Sequence, residues 1–137
     1  MGLILDSSVI IAAERGGETV AQILEHIRRV LGEIELGLSV VTVAELIHGA
    51  YRAKTESDRQ RRLAFVEELC RDVPVYPVTL EIAQLAGRIE AEQEVKGVRV
   101  AFEDLLIGVT ALHLGWSVAT LNVRHFELIP SLSLVHL

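Results

Sequence analysis

The chain has one cysteine, few aromatic residues and no excess of positive charge, and each shortage excludes a class of protein. Cys70 alone cannot form an internal disulfide or a multi-cysteine zinc site, and its helical spacing from Leu63 and Val66 indicates a small core residue. Aromatic residues make up 4% of the sequence while 50% of all residues are hydrophobic, so aliphatic side chains must build the core. At a formal net charge of −6 the chain lacks the general electrostatic footprint of a nucleic-acid-binding protein. A role with RNA or DNA would therefore need a local basic patch or bound cations.

Residues 105–123 contain no Asp, Glu, Lys or Arg, which raises the question of a membrane span. The run includes His113, Asn122 and a break at Gly115 and Trp116, and its second half alternates as a strand does. We interpret it as a buried helix followed by a buried strand, with His113 as a hydrogen-bonded core histidine. The N-terminus lacks the basic region and cleavage site of a signal peptide. We therefore expect a cytoplasmic protein without a membrane segment.

Hydrophobic periodicity divides the 137 residues into short strands that alternate with helices. Strands are predicted at residues 3–5, 38–41, 73–77, 117–121 and 133–135. Helices are predicted from residue 7, over 20–31, over 43–53, around 63–69, from a cap at Thr79 to just before Gly97, and over 104–114, with a polar connection at 54–58. This alternation predicts a single α/β domain, in which helices sandwich a short and mainly parallel sheet.

Three carboxylates lie where predicted helices begin, and each has a simple structural explanation. Asp6, in the segment LILDSSVII, fits a helix N-cap. Glu45 follows Thr42 by three residues in SVVTVAEL and fits a capping box. Asp104, beside Glu103, complements the dipole at the start of an apolar helix. Considered singly, none of the three requires a function.

The shared geometry of these positions favours a functional site. Asp6 and Glu45 come just past predicted strands, at the carboxyl edge where open α/β sheets bind ligands, and the helix of Asp104 can complete the group. Carboxylates that converge in a partly buried place repel one another, so they either share protons or hold a cation. Because Mg²⁺ and Mn²⁺ prefer oxygen ligands, the pattern favours a divalent metal site.

The chain resembles PIN-domain ribonucleases, and more narrowly the VapC-type toxins of toxin–antitoxin pairs, in three segments: LILDSSVIIA, SVVTVAELIHGA and EDLLIGVTALHLGWSVATLNVRHFELIPSLSLVHL. The resemblance implies a PIN-like α/β/α sandwich and a single PIN domain over residues 1–137, with a variable stretch between Lys54 and Val73. It implies that Asp6, Glu45 and Asp104 are the metal-binding catalytic acids of an Mg²⁺- or Mn²⁺-dependent endoribonuclease. It also implies an RNA substrate, a VapB-type antitoxin partner whose C-terminal segment presents a basic residue to the acids, and a homodimer.

Further polar residues of the site follow from the same resemblance. Many PIN domains carry a fourth acid where this chain has Asn122, which leaves open whether the site holds one metal ion or two. Glu103, Thr120 and Ser7 are candidates for the polar lining of the site, although Thr120 and Ser7 equally suit local hydrogen bonds to the backbone. Either of the two aspartates is a candidate general base.

Candidate RNA contacts concentrate in a basic segment between residues 52 and 62, which Glu56 and Asp58 alone oppose. The segment fits either phosphate binding or a solvated helix face. Arg124 and His125 follow the position of the expected fourth acid, and His48 lies on the helix of the middle acid; structural roles fit both histidines better. The candidate contacts are Arg52, Lys54, Arg59, Arg61, Arg62 and Arg124.

Other functions fit parts of the pattern. A phosphatase with Asp6 as nucleophile needs a second aspartate where the chain has Ser8, and a receiver domain needs an acidic pair and a suitably placed lysine that the sequence does not provide. A PIN-like domain that has lost nuclease activity and serves in partner or RNA binding is favoured by Asn122 and disfavoured by the three acids. Metal-dependent RNA hydrolysis is the expected function, and the identity of the RNA is left open.

Overall fold

The computed structural model describes all 137 residues, and its strands and helices alternate along the chain. The five strands are β1 (Gly2–Leu5), β2 (Glu35–Ser39), β3 (Val75–Tyr76), β4 (Ser117–Ala119) and β5 (Leu134–Val135). The seven helices are α1 (Ser7–Arg15), α2 (Val20–Leu31), α3 (Val40–Tyr51), α4 (Glu56–Asp72), α5 (Leu80–Val95), α6 (Phe102–Leu114) and α7 (Val123–Phe126). All strand pairings are parallel, in the order β3-β2-β1-β4-β5. The predicted α/β fold with a short parallel sheet is confirmed.

Alternating side chains of β1 point into two hydrophobic cores, one on each face of the sheet. Leu3 and Leu5 belong to a cluster with residues of α1, α2 and α4, whereas Ile4 belongs to a cluster with residues of α5 and α6. The buried members of both clusters are aliphatic except for Phe126, and Cys70 packs against the first cluster. The layers therefore form the expected sandwich, with helices on both faces of the sheet.

Two predicted boundaries after the second strand are wrong. The structure ends β2 at Ser39 and begins α3 at Val40, whereas the sequence predicts a strand to residue 41 and a helix from residue 43. The valines favour a strand by their β-branching, but the Ser39 hydroxyl accepts a hydrogen bond from the Val41 N–H at 3.1 Å and caps the helix early. The capping box of Thr42 with Glu45 consequently does not form, and Thr42 is buried within the helix.

Other differences have similarly local causes. The predicted polar connection at 54–58 is in part the first turn of α4, because the Thr55 hydroxyl accepts a hydrogen bond from the Asp58 N–H at 3.0 Å. The short helix α7 was not predicted, since four residues carry no readable period. His113 is exposed rather than buried, because it lies in the last turn of α6, beyond the buried middle of that helix. No helix has both the length and the hydrophobicity needed to cross a bilayer.

Candidate active site

Three carboxylates, Asp6, Glu45 and Asp104, lie at the carboxyl edge of the sheet, and we call them the acidic edge. Asp6 directly follows β1, Glu45 lies in the second turn of α3, and Asp104 lies in the first turn of α6. Because α6 packs against both β1 and α3, residues far apart in sequence meet at this edge. The charge of Asp6 acts on both other acids and raises their pKa values, which places all three in one electrostatic environment.

Asp6 is a buried carboxylate held by two hydroxyl groups. Its side chain is almost inaccessible to solvent, and its Oδ2 accepts hydrogen bonds from Ser8 Oγ at 2.7 Å and from Thr120 Oγ1 at 2.9 Å. Although Asp6 occupies the N-cap position of α1, its side chain makes no capping hydrogen bond. The simple structural explanation for a carboxylate at this position therefore fails, because the carboxylate faces the acidic edge and not the helix.

The same two hydroxyls join the start of α1 to the loop after β4. Ser8 Oγ accepts a hydrogen bond from the Leu121 N–H at 3.0 Å, and Thr120 Oγ1 accepts one from the Asn122 N–H at 2.9 Å. The sequence analysis did not include Ser8 among the site residues, although its position two residues after Asp6 could have indicated a contact with that acid. The network fixes the orientation of the Asp6 carboxylate from both sides.

Glu45 is a half-buried acid whose pKa is raised above its ordinary value. The largest cause is loss of solvent on burial, and the charges of Asp6, Asp104 and Glu103 raise it further. The Ser7 hydroxyl donates a hydrogen bond to Glu45 Oε1 at 3.1 Å and acts in the opposite direction. Ser7 therefore contacts the acidic edge directly, whereas Glu103 is exposed and acts on it through charge alone.

Asp104 also has a raised pKa, chiefly because its side chain is largely buried and secondly because of the charge on Asp6. His125, on α7, places Nδ1 3.3 Å from Asp104 Oδ2 and lowers this pKa in part. Sequence reasoning favoured a structural role for His125, and the contact with Asp104 brings it to the border of the acidic edge. His48 is exposed on α3 and makes no such contact.

No basic side chain of the protein neutralises the acidic edge. None of the three acids forms an ion pair with a lysine or arginine. No three acidic, histidine or cysteine side chains are close enough to enclose a cation by themselves. The site is thus a set of separated carboxylate oxygens, whose repulsion is relieved only by hydroxyl groups and one imidazole.

The arginines of α4, which were predicted to contact RNA, are engaged within the protein. Arg59 pairs with Glu56 at 3.0 Å, and Arg61 pairs with Asp58 at 3.1 Å. Arg62 donates from Nη1 to the Gly49 carbonyl at 3.0 Å. The remaining candidates, Arg52, Lys54 and Arg124, are exposed and free of ion pairs.

A groove with a volume of about 60 Å³ adjoins the acidic edge between α1, α3 and α4. Its apolar walls include the side chains of Ile10, Leu46 and Phe65. Its charged residues are two acids and two arginines: Glu14, Glu45, Arg15 and Arg62. The groove therefore combines an apolar surface with charged side chains of both signs, a combination that suits an amphipathic peptide.

Comparisons with known proteins agree with this architecture. The family model of the PIN domain matches residues 3–130. Ribonuclease VapC1 of Rickettsia felis is 32% identical over 135 residues, which cover 98% of this chain and 96% of that protein. The tRNA(fMet)-specific endonuclease VapC of Salmonella typhimurium is 34% identical over 110 residues, which cover 79% of this chain and 81% of that protein.

Solved structures give the same result. A chain in the crystal structure of DNA-bound VapBC from Salmonella typhimurium superposes with a TM-score of 0.83 at 28% identity, over 99% of this chain and 98% of that one. The fold, the sequence identity and the coverage all agree with the resemblance seen in the three sequence segments. The chain therefore belongs to the PIN-domain family, among the VapC ribonucleases.

Proposed function

We propose that this protein is an endoribonuclease that hydrolyses RNA phosphodiester bonds and serves as the toxin of a type II toxin–antitoxin pair. The observation that carries the proposal is the acidic edge, where burial and mutual repulsion raise the pKa values of Glu45 and Asp104 beside the buried Asp6. Titratable groups perturbed in this way at the carboxyl edge of a sheet are typical of functional sites. The names of the VapC relatives as ribonucleases support the same activity.

Asp6, Glu45 and Asp104 are the residues that would hold Mg²⁺ or Mn²⁺. Their donors are all carboxylate oxygens, the ligands that Mg²⁺ prefers. Because no three such side chains are close enough to enclose an ion, Mg²⁺ would bind through one or two of the carboxylates and keep several waters. A metal bound there would act as a Lewis acid that stabilises the charge developing on the phosphate oxygens. Because Asn122 adds no charge, we favour one tightly held ion over two.

The residues around the acids orient them for hydrolysis. Ser8 and Thr120 hold Asp6 with Oδ2 already accepting two hydrogen bonds, which lowers its capacity to accept a further proton. Asp104 contacts only the imidazole of His125, so it is the better candidate to accept the proton of the attacking water. Ser7 fixes Glu45 on the far side of the site through its hydroxyl.

The partner we propose is a VapB-type antitoxin. Its C-terminal segment would lie in the groove between α1, α3 and α4 and direct a basic residue to Glu45, neutralising the acidic edge. Structural relatives have been crystallised as VapBC complexes, which supports a partner of this kind. A homodimer and a cytoplasmic location, where RNA is available, complete the proposal.

The test is cleavage of a panel of structured RNAs, initiator tRNA among them, with Mg²⁺, with Mn²⁺ and with EDTA. We expect cleavage by the wild-type protein with either metal and none with EDTA. Asp104→Asn should lower the rate about a thousandfold, because metal-assisted charge stabilisation is worth several kcal/mol. The matched control Glu92→Gln changes an exposed acid on α5 and should leave the rate unchanged.

Two results would overturn the proposal. Cleavage that persists unchanged in Asp104→Asn would remove this mechanism. RNA binding without cleavage under any metal condition would instead favour the alternative, a PIN domain that binds RNA or a partner and has no nuclease activity.

A further inference from the structure

An open cleft at α7 borders the acidic edge. It has a volume of about 400 Å³, and its walls are Leu121, Asn122, Val123, Arg124, His125 and His136. His125 links the cleft to the site, because its Nδ1 lies 3.3 Å from Asp104 Oδ2. The walls contain no carboxylate, although the protein has 19 acidic residues against 13 lysines and arginines. An anion in this cleft therefore meets no acid in the walls, up to the imidazole of His125 that contacts Asp104.

Arg124 is the one permanently charged residue in the walls of this cleft, and it has no acidic partner. The arginines of α4 differ, since Arg59 and Arg61 each pair with an acid three residues earlier. A guanidinium that is already paired must give up that partner to bind a phosphate, whereas a free one need not. The planar fork of N–H groups on a free arginine matches two phosphate oxygens at once.

We propose that this cleft binds a backbone phosphate of the RNA, next to the bond that is cut, with Arg124 as its main contact. This inference rests on the proposed nuclease function. His136, which directly follows β5, can donate a further N–H, and Leu121, which is 45% exposed, offers an apolar surface to the adjoining sugar or base. The RNA strand then reaches the acidic edge from the side of α7. The arginines of α4 do not provide its main contacts.

The first experiment measures binding of a fluorescent single-stranded RNA in an Asp6→Asn background, so that the probe is not cleaved. Arg124→Ala should weaken binding about tenfold, as expected for a lost hydrogen bond to a charged group. It should also make the slope of log affinity against log salt shallower by about 0.7, the value for one phosphate contact on a single strand. Arg29→Ala, which removes an exposed arginine from α2, is the matched control, and Arg61→Ala tests the rival surface on α4.

Two further variants separate charge from geometry. Arg124→Lys keeps the positive charge but loses the planar pair of N–H donors. Compared with Arg124→Ala, it should therefore restore the salt slope of the parent but only part of the RNA affinity. His136→Ala should weaken binding less than Arg124→Ala does, and without changing the slope. In the cleaving protein, Arg124→Ala should raise KM more than it lowers kcat, because the contact is present before the reaction as well as during it.

The inference is overturned if Arg124→Ala binds the RNA as tightly as Arg29→Ala does. It is also overturned if the lower affinity and the shallower salt slope are seen in Arg61→Ala and not in Arg124→Ala. Either result leaves the nuclease proposal intact, provided that the parent protein cleaves RNA. Absence of cleavage by the parent would instead remove the nuclease proposal, and the binding experiment in the Asp6→Asn background would still decide the role of the cleft.

Discussion

The acidic edge and the surface of α4 differ in how their charged side chains are paired. On α4, each of two arginines lies one helical turn after an acid, as in the pair of Arg61 with Asp58, and the paired side chains are 35% to 69% exposed. At the acidic edge, Asp6, Glu45 and Asp104 are buried to different degrees, and none of them forms an ion pair with a lysine or arginine. Like charges are thus held together where solvent is scarce, and opposite charges are paired where solvent is plentiful. Perturbed acids held together in this way are typical of functional sites, whereas paired surface charges contribute little to stability.

Among variants that leave the three acids in place, the largest effect should come from removing the Thr120 hydroxyl, which orients the buried Asp6. Thr120→Val removes the hydrogen bond to Asp6 Oδ2 while it keeps the shape of the side chain. We expect metal affinity or kcat to fall about 10–100-fold, the usual loss when a group that orients a metal ligand is removed. Cleavage rates over a series of Mg²⁺ concentrations measure both quantities.

Thr110 supplies the matched control for that experiment. It is another fully buried threonine, whose hydroxyl donates to the Leu106 carbonyl within α6 and does not contact the acids. Thr110→Val should leave metal affinity and kcat as they are. Equal losses in the two variants would mean that the Thr120 result reflects packing and not orientation of Asp6.

A second prediction tests whether the charge on Glu45, which is half-buried and close to other acids, destabilises the metal-free protein. The folded-state pKa of Glu45 is raised above its ordinary value of 4.5, so the folded protein binds more protons than the unfolded chain between the two values. Stability of the metal-free protein should therefore decrease as the pH rises through this window and stay lower above it. Glu45→Gln keeps an acceptor for the Ser7 hydroxyl but carries no charge, so it should raise Tm by a few degrees at pH 7 with EDTA.

Thermal unfolding at several pH values checks this prediction. The gain in Glu45→Gln should shrink as the pH falls through the raised pKa and vanish below the ordinary value, where Glu45 is protonated in both states. Added Mg²⁺ should raise Tm more in the wild-type protein than in the variant. Glu94→Gln, on the exposed end of α5, is the control and should show neither effect. A lower Tm for Glu45→Gln without metal would contradict the claim that the charge on Glu45 destabilises the metal-free protein.

Much of the fold could be predicted from the sequence, because its signals are local and agree with one another. The apolar run before Asp6 gives β1, and Thr79 caps α5 as expected, with its hydroxyl accepting from the Ile82 N–H at 3.2 Å. The same pattern placed the three acids just past strands or at helix starts. Since parallel strands end at one edge, their convergence followed from topology and not from any single motif.

The remainder depended on choices that local sequence does not decide. Ser39 and Thr42 are both good caps, and only the packing of β2 against its neighbours determines which of them begins α3. His125 reaches Asp104 because the four-residue helix α7 turns the chain back toward the site, and so short a helix has no detectable period. The count of arginines on α4 likewise could not reveal that each of those in the middle of the segment already has a partner.

The smallest predicted effect is on stability, and it concerns the arginines of α4. Arg62 lies in the basic segment, yet its Nη1 donates to the Gly49 carbonyl at 3.0 Å and so ties α4 to α3 beside the groove. Arg62→Ala should lower the free energy of unfolding by about 1 kcal/mol, since it removes a partly buried hydrogen bond. Arg71→Ala removes a largely exposed pair with Glu67 and should change stability by less than about 0.5 kcal/mol. Urea unfolding of both variants makes the comparison, and a loss in Arg62→Ala no greater than in Arg71→Ala would mean that Arg62 does not join the two helices. Its guanidinium would then be as available to a ligand as Arg124, and the contrast between a neutralised α4 and a free α7 would no longer hold for that residue.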